Sequence, residues 1–192
     1  IEGFANNPPE RCYFCKTELF GKLKEIAGEQ GFLNVADGAN LDDTQEFRPG
    51  LQASRELNVR SPLKETGLTK KDIREVSKFL NLPNWDKPAY ACLSSRFPYG
   101  QSITEEKLSM VSEAEKYLRA LGLIQFRVRH HETIARIEVL PEDIHILTNS
   151  PVREELSAKF KNIGFTYVTL DLEGYRSGSM NEILSEIEQK IN

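Results

Sequence analysis

One loop of this chain places a thiol beside two hydroxyls and a guanidinium. Cys92 is followed closely by Ser94, Ser95 and Arg96. Residues that break regular structure bracket the segment: Pro88, Pro98 and Gly100. We therefore expect a loop that could hold an anion at the arginine beside a nucleophilic sulfur. A linker with an incidentally buried cysteine is the alternative that the local sequence leaves open.

The other two cysteines form a CxxC pair, Cys12 and Cys15, directly before an amphipathic helix. Its apolar residues recur at helical spacing to about residue 30, and Gly31 predicts the helix end. The positive field at a helix N-terminus favours thiolates, which are the metal-binding form of cysteine. Structural zinc, iron–sulfur ligation and redox exchange all use this spacing, and two incidental buried cysteines are the alternative.

With 3 cysteines in the chain, Cys12, Cys15 and Cys92 cannot complete a four-cysteine zinc site. They can ligate three irons of a [4Fe-4S] cluster and leave one iron open. Zinc with a histidine or a water as its fourth ligand is the competing arrangement. The odd count and the lack of a secretion signal argue against a disulfide framework and predict a reducing, cytoplasmic location.

An acidic, turn-rich segment follows the first predicted strand. Residues 32–36 form a short apolar run that is typical of a buried parallel strand, and Asp37, Asn40 and Asp43 come directly after it. In an open α/β sheet, ligands bind in the loops beyond the C-terminal ends of strands. These polar groups could therefore face a metal or a ribose. A solvated acidic turn is the alternative.

A predicted hairpin carries arginines on one face. Alternation over residues 124–130 and 133–139 places Arg127, Arg129 and Arg136 on the face opposite the apolar side chains. Clustered guanidiniums repel one another unless an anion or a carboxylate such as Glu138 neutralises them. Ordinary salt bridges on an exposed sheet face are the alternative.

The remaining C-terminal pattern predicts two helices, at 151–163 and 180–191, and a strand at 165–172 between them. Arg176 lies in the polar loop before the last helix and is a further candidate anion contact. His130 and His131 are interpreted as turn residues rather than ligands.

Composition restricts the protein class. The chain has 192 residues, a net charge of −4 and no apolar run near the ~20 residues that span a bilayer. The balance of charge argues against broad binding of nucleic acid. Elements before Gly100 predict an α/β unit with a parallel sheet over residues 1–101. Those after it predict a small α+β domain over residues 102–192.

Five motifs occur in order and together resemble the LarE family of ATP-dependent sulfur transferases, which belong to the PP-loop pyrophosphatases. The motifs are Arg11-Cys-Tyr-Phe-Cys-Lys16, the segment 37–43, Arg48-Pro-Gly50, Ser61-Pro-Leu63 and the segment 86–100. The resemblance covers essentially the whole chain. It implies that a carboxylate of pyridinium-3,5-biscarboxylic acid mononucleotide is adenylylated with ATP and magnesium, and that sulfur then replaces AMP. The product is the thiocarboxylate precursor of the nickel-pincer cofactor.

The resemblance also implies roles for single residues. Cys92 either gives up its own sulfur and becomes dehydroalanine, or joins Cys12 and Cys15 as a ligand of a [4Fe-4S] cluster that carries a sulfide. The three-cysteine set is similar to that of the cluster type. The other implied contacts are Ser95 and Arg96 to phosphate, Asn40 and Asp43 near the nucleotide, Arg127, Arg129 and Arg176 to substrate, and Glu115 and Glu138 to a divalent ion or substrate.

One departure from the family pattern concerns ATP. The PP-loop signature Ser-Gly-Gly-x-Asp-Ser does not occur in these residues, and we expect it on a segment N-terminal to Ile1. A sulfur donor and a homo-oligomer are the partners that the family implies. A PP-loop enzyme that thiolates tRNA and a non-catalytic module stabilised by zinc or a cluster are the alternative functions.

Overall fold

The computed structural model describes residues 1–45, 49–88, 90–176 and 178–181. Within these ranges the protein is α/β and divides into two compact units, residues 1–87 and 88–192. The division falls before the predicted one at 101/102. The reason is that the Cys92 loop packs as part of the second unit, in which Ser94, Arg96 and Phe97 are buried.

The first unit is mainly helical. Its helices are α1 (Arg11–Glu29), α2 (Gly50–Glu56), α3 (Pro62–Glu65) and α4 (Lys70–Phe79), with a 3-10 turn at Leu41–Gln45. The predicted end of α1 is confirmed, since Gly31 has φ +75°. A capping box starts α4: Thr69 accepts from the Asp72 N–H and Asp72 accepts from the Thr69 N–H.

The buried parallel strand predicted over residues 32–36 is wrong. Over the described part of the first unit, parallel pairing is reduced to a single bridge between Ala36 and Arg60. Leu33 is 96% exposed and Phe32 is 64% exposed. An apolar run alone does not make a strand, because a central strand needs neighbours on both edges and cover on both faces.

The second unit contains α5 (Glu105–Ala120), β1 (Phe126–His131), β2 (Ile134–Val139), α6 (Ile144–Thr148), α7 (Val152–Ile163) and β3 (Tyr167–Leu170). The predicted hairpin is confirmed, with Arg127 opposite Glu138 and Arg129 opposite Arg136. β3 pairs with β2 in parallel, so the sheet order is β1-β2-β3. This gives the small α+β layer that the sequence predicts.

The core of the second unit lies between the apolar face of the sheet and the helices. Alternate residues of β1 and β2 are buried on this face, and Leu118, Phe160 and Phe165 pack against them. The opposite face of the sheet therefore carries the arginines.

Residues 182–192, over which the last helix is predicted, lie outside the described ranges, as does Arg48. Met180 begins no helix within the described part; Ser179–Asn181 is a 3-10 turn. Every helix that the structure describes is too short or too polar to cross a membrane.

Candidate functional site

The Cys92 loop is built around a buried arginine. Cys92 is exposed and precedes a 3-10 turn at Leu93–Arg96. The Ser95 N–H and hydroxyl both donate to the Cys92 carbonyl, at 2.9 and 2.7 Å. The Arg96 Nη1 donates to the carbonyls of Ala91 and Cys92, at 3.3 and 3.5 Å, and to the Ser95 Oγ at 2.9 Å. The backbone on both sides of the thiol is thus held by one side chain.

Glu115 fixes that arginine from helix α5. Its two oxygens accept from the Arg96 Nε and Nη2, at 2.6 and 3.1 Å, and the side chains are only 2% (Arg96) and 7% (Glu115) exposed. The first oxygen also accepts from the Val128 N–H at 3.1 Å. The predicted phosphate contact of Arg96 and the ion-ligand role of Glu115 remain predictions. In this structure both groups are engaged with each other.

Arg129 joins the Cys92 loop to the polar face of the sheet. Its Nη1 donates to the Ser95 carbonyl at 2.7 Å, and its Nη2 donates to the Ser179 hydroxyl at 2.8 Å. Its Nε and Nη2 also form a buried fork with Glu138, at 2.9 and 3.0 Å. The side chain predicted to bind substrate therefore fastens three segments of the second unit together.

Glu138 neutralises two of the arginines, in line with the sequence pattern. Arg136 lies 3.0 Å from the same carboxylate and 3.6 Å from Asp171. With both Glu138 oxygens accepting from guanidinium groups, the geometry does not favour a divalent ion there, and its ion-ligand role remains a prediction.

Arg127 differs from its neighbours in having no carboxylate partner among the described residues. Its guanidinium lies 4.6 Å from the ring centroid of Tyr175 and donates to the Tyr175 hydroxyl at 2.9 Å. Burial lowers the pKa of Arg127 below its usual value, and the positive charge of Arg129 lowers it further. A half-buried guanidinium that forms no ion pair with a described carboxylate is a favourable site for an anion.

Tyr175 is a contact that the sequence pattern did not predict. It reaches Arg127 because the preceding turn is tight: Gly174 has φ +70°, and a Cβ there would lie 2.7 Å from the Val139 carbonyl. The Tyr175 N–H donates to that same carbonyl at 2.8 Å. The glycine at 174 was the available signal, since this backbone excludes larger side chains.

Arg176 lies at the edge of the same face. Its Nη2 is 2.9 Å from Glu173 and its Nη1 is 3.8 Å from Asp171. Its carbonyl accepts from Arg127 at 3.4 Å. The structure thus brings the predicted substrate arginines, Arg127, Arg129 and Arg176, onto one connected surface, although each has a different surrounding.

His130 is not a turn residue. It lies in the core between Phe97 and Phe165, with ring centroids at 5.2 and 5.5 Å, and its Nδ1 is 2.8 Å from the Gln101 Nε2. Burial lowers the pKa of His130. The turn falls one residue later than predicted, after His131, where Glu132 has φ +54°.

In the first unit, Asp37 is the centre of a polar cluster. It accepts from the Ser61 hydroxyl at 2.8 Å, from the Ala39 N–H at 3.1 Å and from the Ser54 hydroxyl at 3.1 Å, and it lies 3.8 Å from the Lys16 Nζ. Burial opposes ionisation, but these donors prevail and lower the pKa of Asp37. Ser54 was not a candidate, because nothing in its local sequence marks it.

Asn40 and Asp43, predicted to lie near a nucleotide, are placed at the start of the 3-10 turn. The Asn40 N–H donates to Asp43 and the Asn40 side chain accepts from the Asp42 N–H, both at 3.0 Å. These contacts stabilise the turn and leave the nucleotide role a prediction.

α1 begins at Arg11, so Cys12 and Cys15 lie in its first two turns rather than directly before it. Cys12 is exposed and Cys15 is half-buried, and none of the three cysteines is in a disulfide. Neither unit, over its described residues, gathers three or more metal-ligating side chains by itself. The [4Fe-4S] cluster on Cys12, Cys15 and Cys92 therefore remains a prediction.

Comparison with known proteins gives three relatives, while no family model matches. The chain is 51% identical over 183 residues to an uncharacterized protein of Synechocystis sp., covering 95% of this chain and 68% of the relative. It is 42% identical over 183 residues to the pyridinium-3,5-bisthiocarboxylic acid mononucleotide synthase of Lactiplantibacillus plantarum, covering 95% and 66%. It is 38% identical over 177 residues to an uncharacterized protein of Methanocaldococcus jannaschii, covering 92% and 68%. The chain thus spans about two thirds of the length of each relative.

Proposed function

Because this chain belongs to the LarE family, we propose that it takes part in sulfur transfer to a carboxylate of pyridinium-3,5-biscarboxylic acid mononucleotide. The product class is that in the name of the Lactiplantibacillus relative, a pyridinium bisthiocarboxylic acid mononucleotide. The observation that carries the proposal is the 2.7 Å hydrogen bond from Arg129 to the Ser95 carbonyl. It joins the loop that bears the Cys92 thiol to the arginine-rich face of the sheet.

The arginine-rich face supplies the binding site for the substrate's anionic groups. Arg127 is the principal phosphate contact, because its guanidinium is half-buried and no carboxylate among the described residues neutralises it. Arg176, at the rim, binds a second anionic group at the cost of loosening its pair with Glu173. Arg129 donates to Glu138, Ser179 and the Ser95 carbonyl, so it stabilises the arginine-rich face rather than binding substrate.

To convert a carboxylate into a thiocarboxylate, one carboxylate oxygen must be replaced by sulfur, and that oxygen must first be made a leaving group. In our proposal ATP converts the carboxylate to an acyl adenylate with release of pyrophosphate, and a sulfur nucleophile then displaces AMP at the carbonyl carbon. If Cys92 supplies the sulfur, its Sγ forms a thioester with the acyl group. Loss of the Cys92 Cα proton then breaks the Cβ–S bond, which leaves the thiocarboxylate and dehydroalanine.

The three thiols also fit a cluster as a donor set. None of the three is in a disulfide, and Cys12 and Cys15 lie near the start of α1 at the spacing that iron–sulfur ligation uses. A [4Fe-4S] cluster held by Cys12, Cys15 and Cys92 would supply an exchangeable sulfide and spare the cysteine. Cys92 is accessible in either route.

The test uses the complete native protein, purified without oxygen and incubated with the biscarboxylic acid mononucleotide, ATP and magnesium. We expect mass spectrometry to show exchange of oxygen for sulfur in the nucleotide. The exchange should be lost without ATP and in Cys92→Ser. Thiolation of tRNA instead of the mononucleotide would contradict the proposal.

The two sulfur sources give different products on the protein. Loss of hydrogen sulfide from the Cys92 peptide after one turnover indicates the sacrificial route. Bound iron and sulfide, an intact Cys92 after turnover and loss of the iron in Cys12→Ser indicate the cluster.

A further inference from the structure

Arg96 and Glu115 form a buried ion pair that takes no direct part in the proposed sulfur transfer. A buried charge is costly unless it is paired and hydrogen-bonded, and here both conditions are met by the fork between the two groups. The pair has further contacts at both ends. Arg96 holds the carbonyls of Ala91 and Cys92, and Glu115 accepts from the Val128 N–H.

The Val128 contact links the pair to the anion-binding face. β1 lies at one edge of the three-stranded sheet, and Val128 stands between Arg127 and Arg129 in the sequence of that strand. Glu115 therefore anchors the strand at the residue flanked by both arginines. Arg129 holds the other side of the Cys92 loop through the Ser95 carbonyl.

We propose that Arg96 and Glu115 are positioning residues that set the Cys92 thiol in register with the anion site at Arg127. This inference rests on the proposed function and assigns Arg96 a role different from a phosphate ligand. The Arg96–Glu115 fork and the Arg129 bond to the Ser95 carbonyl both connect the Cys92 loop to β1, and only the fork holds the carbonyls on both sides of the thiol. Loosening that fork shifts the sulfur relative to the bound substrate and leaves Arg127 in place to bind phosphate.

The experiment compares Arg96→Lys and Glu115→Gln with Glu113→Gln in the complete native protein. Glu113 lies on the same helix and, among the described residues, pairs at 3.8 Å with Lys116 at the surface, so it controls for the same chemical change. We expect kcat to fall by about tenfold or more in the two pair variants, because a small misplacement of reacting groups is enough for such a loss. KM for the mononucleotide should stay within about twofold, because phosphate binding is intact.

A phosphate-ligand role for Arg96 gives the reverse split, a raised KM with kcat retained in Arg96→Lys, and would overturn the inference. If either single variant fails to fold, Arg96→Met is combined with Glu115→Leu. This double variant removes both charges together, and replacing a whole buried ion pair by apolar side chains often leaves a protein stable. That double variant should fold and show the same loss of kcat. Full activity in it would also overturn the inference.

A measurement without substrate separates this inference from the proposed function. Hydrogen exchange at the Ser95 and Phe97 amides, which donate to Cys92 and Ser94, should be faster in both pair variants and unchanged in Glu113→Gln. Faster exchange in a protein that transfers no sulfur to the mononucleotide would reject the proposed function alone. Unchanged exchange and unchanged kcat together would reject the positioning role.

Discussion

The two units bury their apolar side chains to very different extents. In the first unit, Leu19, Leu23 and Ile26 of the α1 stripe are exposed, and Phe79 of α4 is 84% exposed. In the second unit, Phe160 and its neighbours are fully buried in one continuous core. Both units have amphipathic helices of the predicted kind. The comparison shows that an apolar stripe predicts a helix but does not tell what covers it.

The polar groups divide in the same way. The second unit buries whole ion pairs, Arg96 with Glu115 and Arg129 with Glu138. In the first unit, Asp37 accepts from two serine hydroxyls and a backbone N–H, and the buried Arg11 donates to the neutral side chain of Asn7. The second unit thus pairs its buried arginines Arg96 and Arg129 with buried carboxylates, whereas Arg11 contacts an amide.

The largest contrast is expected from truncating one phenylalanine in each unit. Phe160→Ala should cost the second unit about 3–5 kcal/mol, because it leaves a cavity in a packed core. Phe79→Ala should change stability by no more than about 0.5 kcal/mol, because the ring is exposed. Urea unfolding followed by the fluorescence of Trp85, the single tryptophan, reports on the first unit, and hydrogen exchange reports on the second. Equal losses in the two variants would show that the comparison is wrong.

An intermediate effect is expected from the polar cluster of the first unit. Asp37→Asn should destabilise that unit by about 1.5–3 kcal/mol, because hydrogen bonds to a charged group are lost. Asp86→Asn, at an exposed aspartate of the same unit, is the control and should be neutral within about 0.5 kcal/mol. Trp85 fluorescence during urea unfolding measures both variants. An unchanged free energy of unfolding in Asp37→Asn would show that the first unit does not depend on this carboxylate.

Removing a helix cap is expected to lower the free energy of unfolding equally in both units, because a cap acts only on its own helix end. Thr69 accepts from Asp72 in the first unit, and Thr104 accepts from Lys107 in the second. Each Thr→Ala substitution should cost about 1 kcal/mol. Urea unfolding followed by circular dichroism checks both. A several-fold difference between the two caps would mean that the units also differ in local stability.

The smallest effect is expected from mild acid, and it separates the units by pH. All 3 histidines lie in the second unit, and burial lowers the pKa of His130 and of His131. The two neutral histidines therefore add to the stability of the second unit above the usual histidine pKa of about 6.5. This stability is lost as the pH falls through their lowered pKa values in the folded protein. Asp37, also with a lowered pKa, affects the first unit only below its usual value of about 3.9. Hydrogen exchange at pH 7 and pH 5.5 should therefore show weakening in the second unit alone.

His130→Phe should remove part of the pH dependence of the second unit, because phenylalanine does not titrate and its ring can pack between Phe97 and Phe165 as the imidazole does. His145→Gln, at an exposed histidine, is the matched control and should leave it unchanged. If the first unit loses as much protection from hydrogen exchange as the second between pH 7 and pH 5.5, the pH dependence does not come from the buried histidines.

Local patterns in the sequence were sufficient for α1, for the helix predicted at 151–163 and for the hairpin. Gly31 predicts the end of α1, because a helix stop acts within one turn of the chain. The alternation at Arg127 and Arg129 predicts a shared face for the same reason. The strand expected over residues 32–36 failed because a strand is defined by its partners, and partners are distant in sequence.

The amino-acid sequence alone shows which side chains this protein has for sulfur and anion chemistry: the CxxC pair, the Cys92 loop and the arginines of one strand. Which of these side chains are paired and which are open depends on the fold. Arg96, Arg127 and Arg129 are alike in the sequence, but Glu115 and Glu138 engage two of them, and no described carboxylate pairs with Arg127. The physical reason is that the charge of a buried group depends on neighbours brought together by the fold, and these come from segments far apart in the chain.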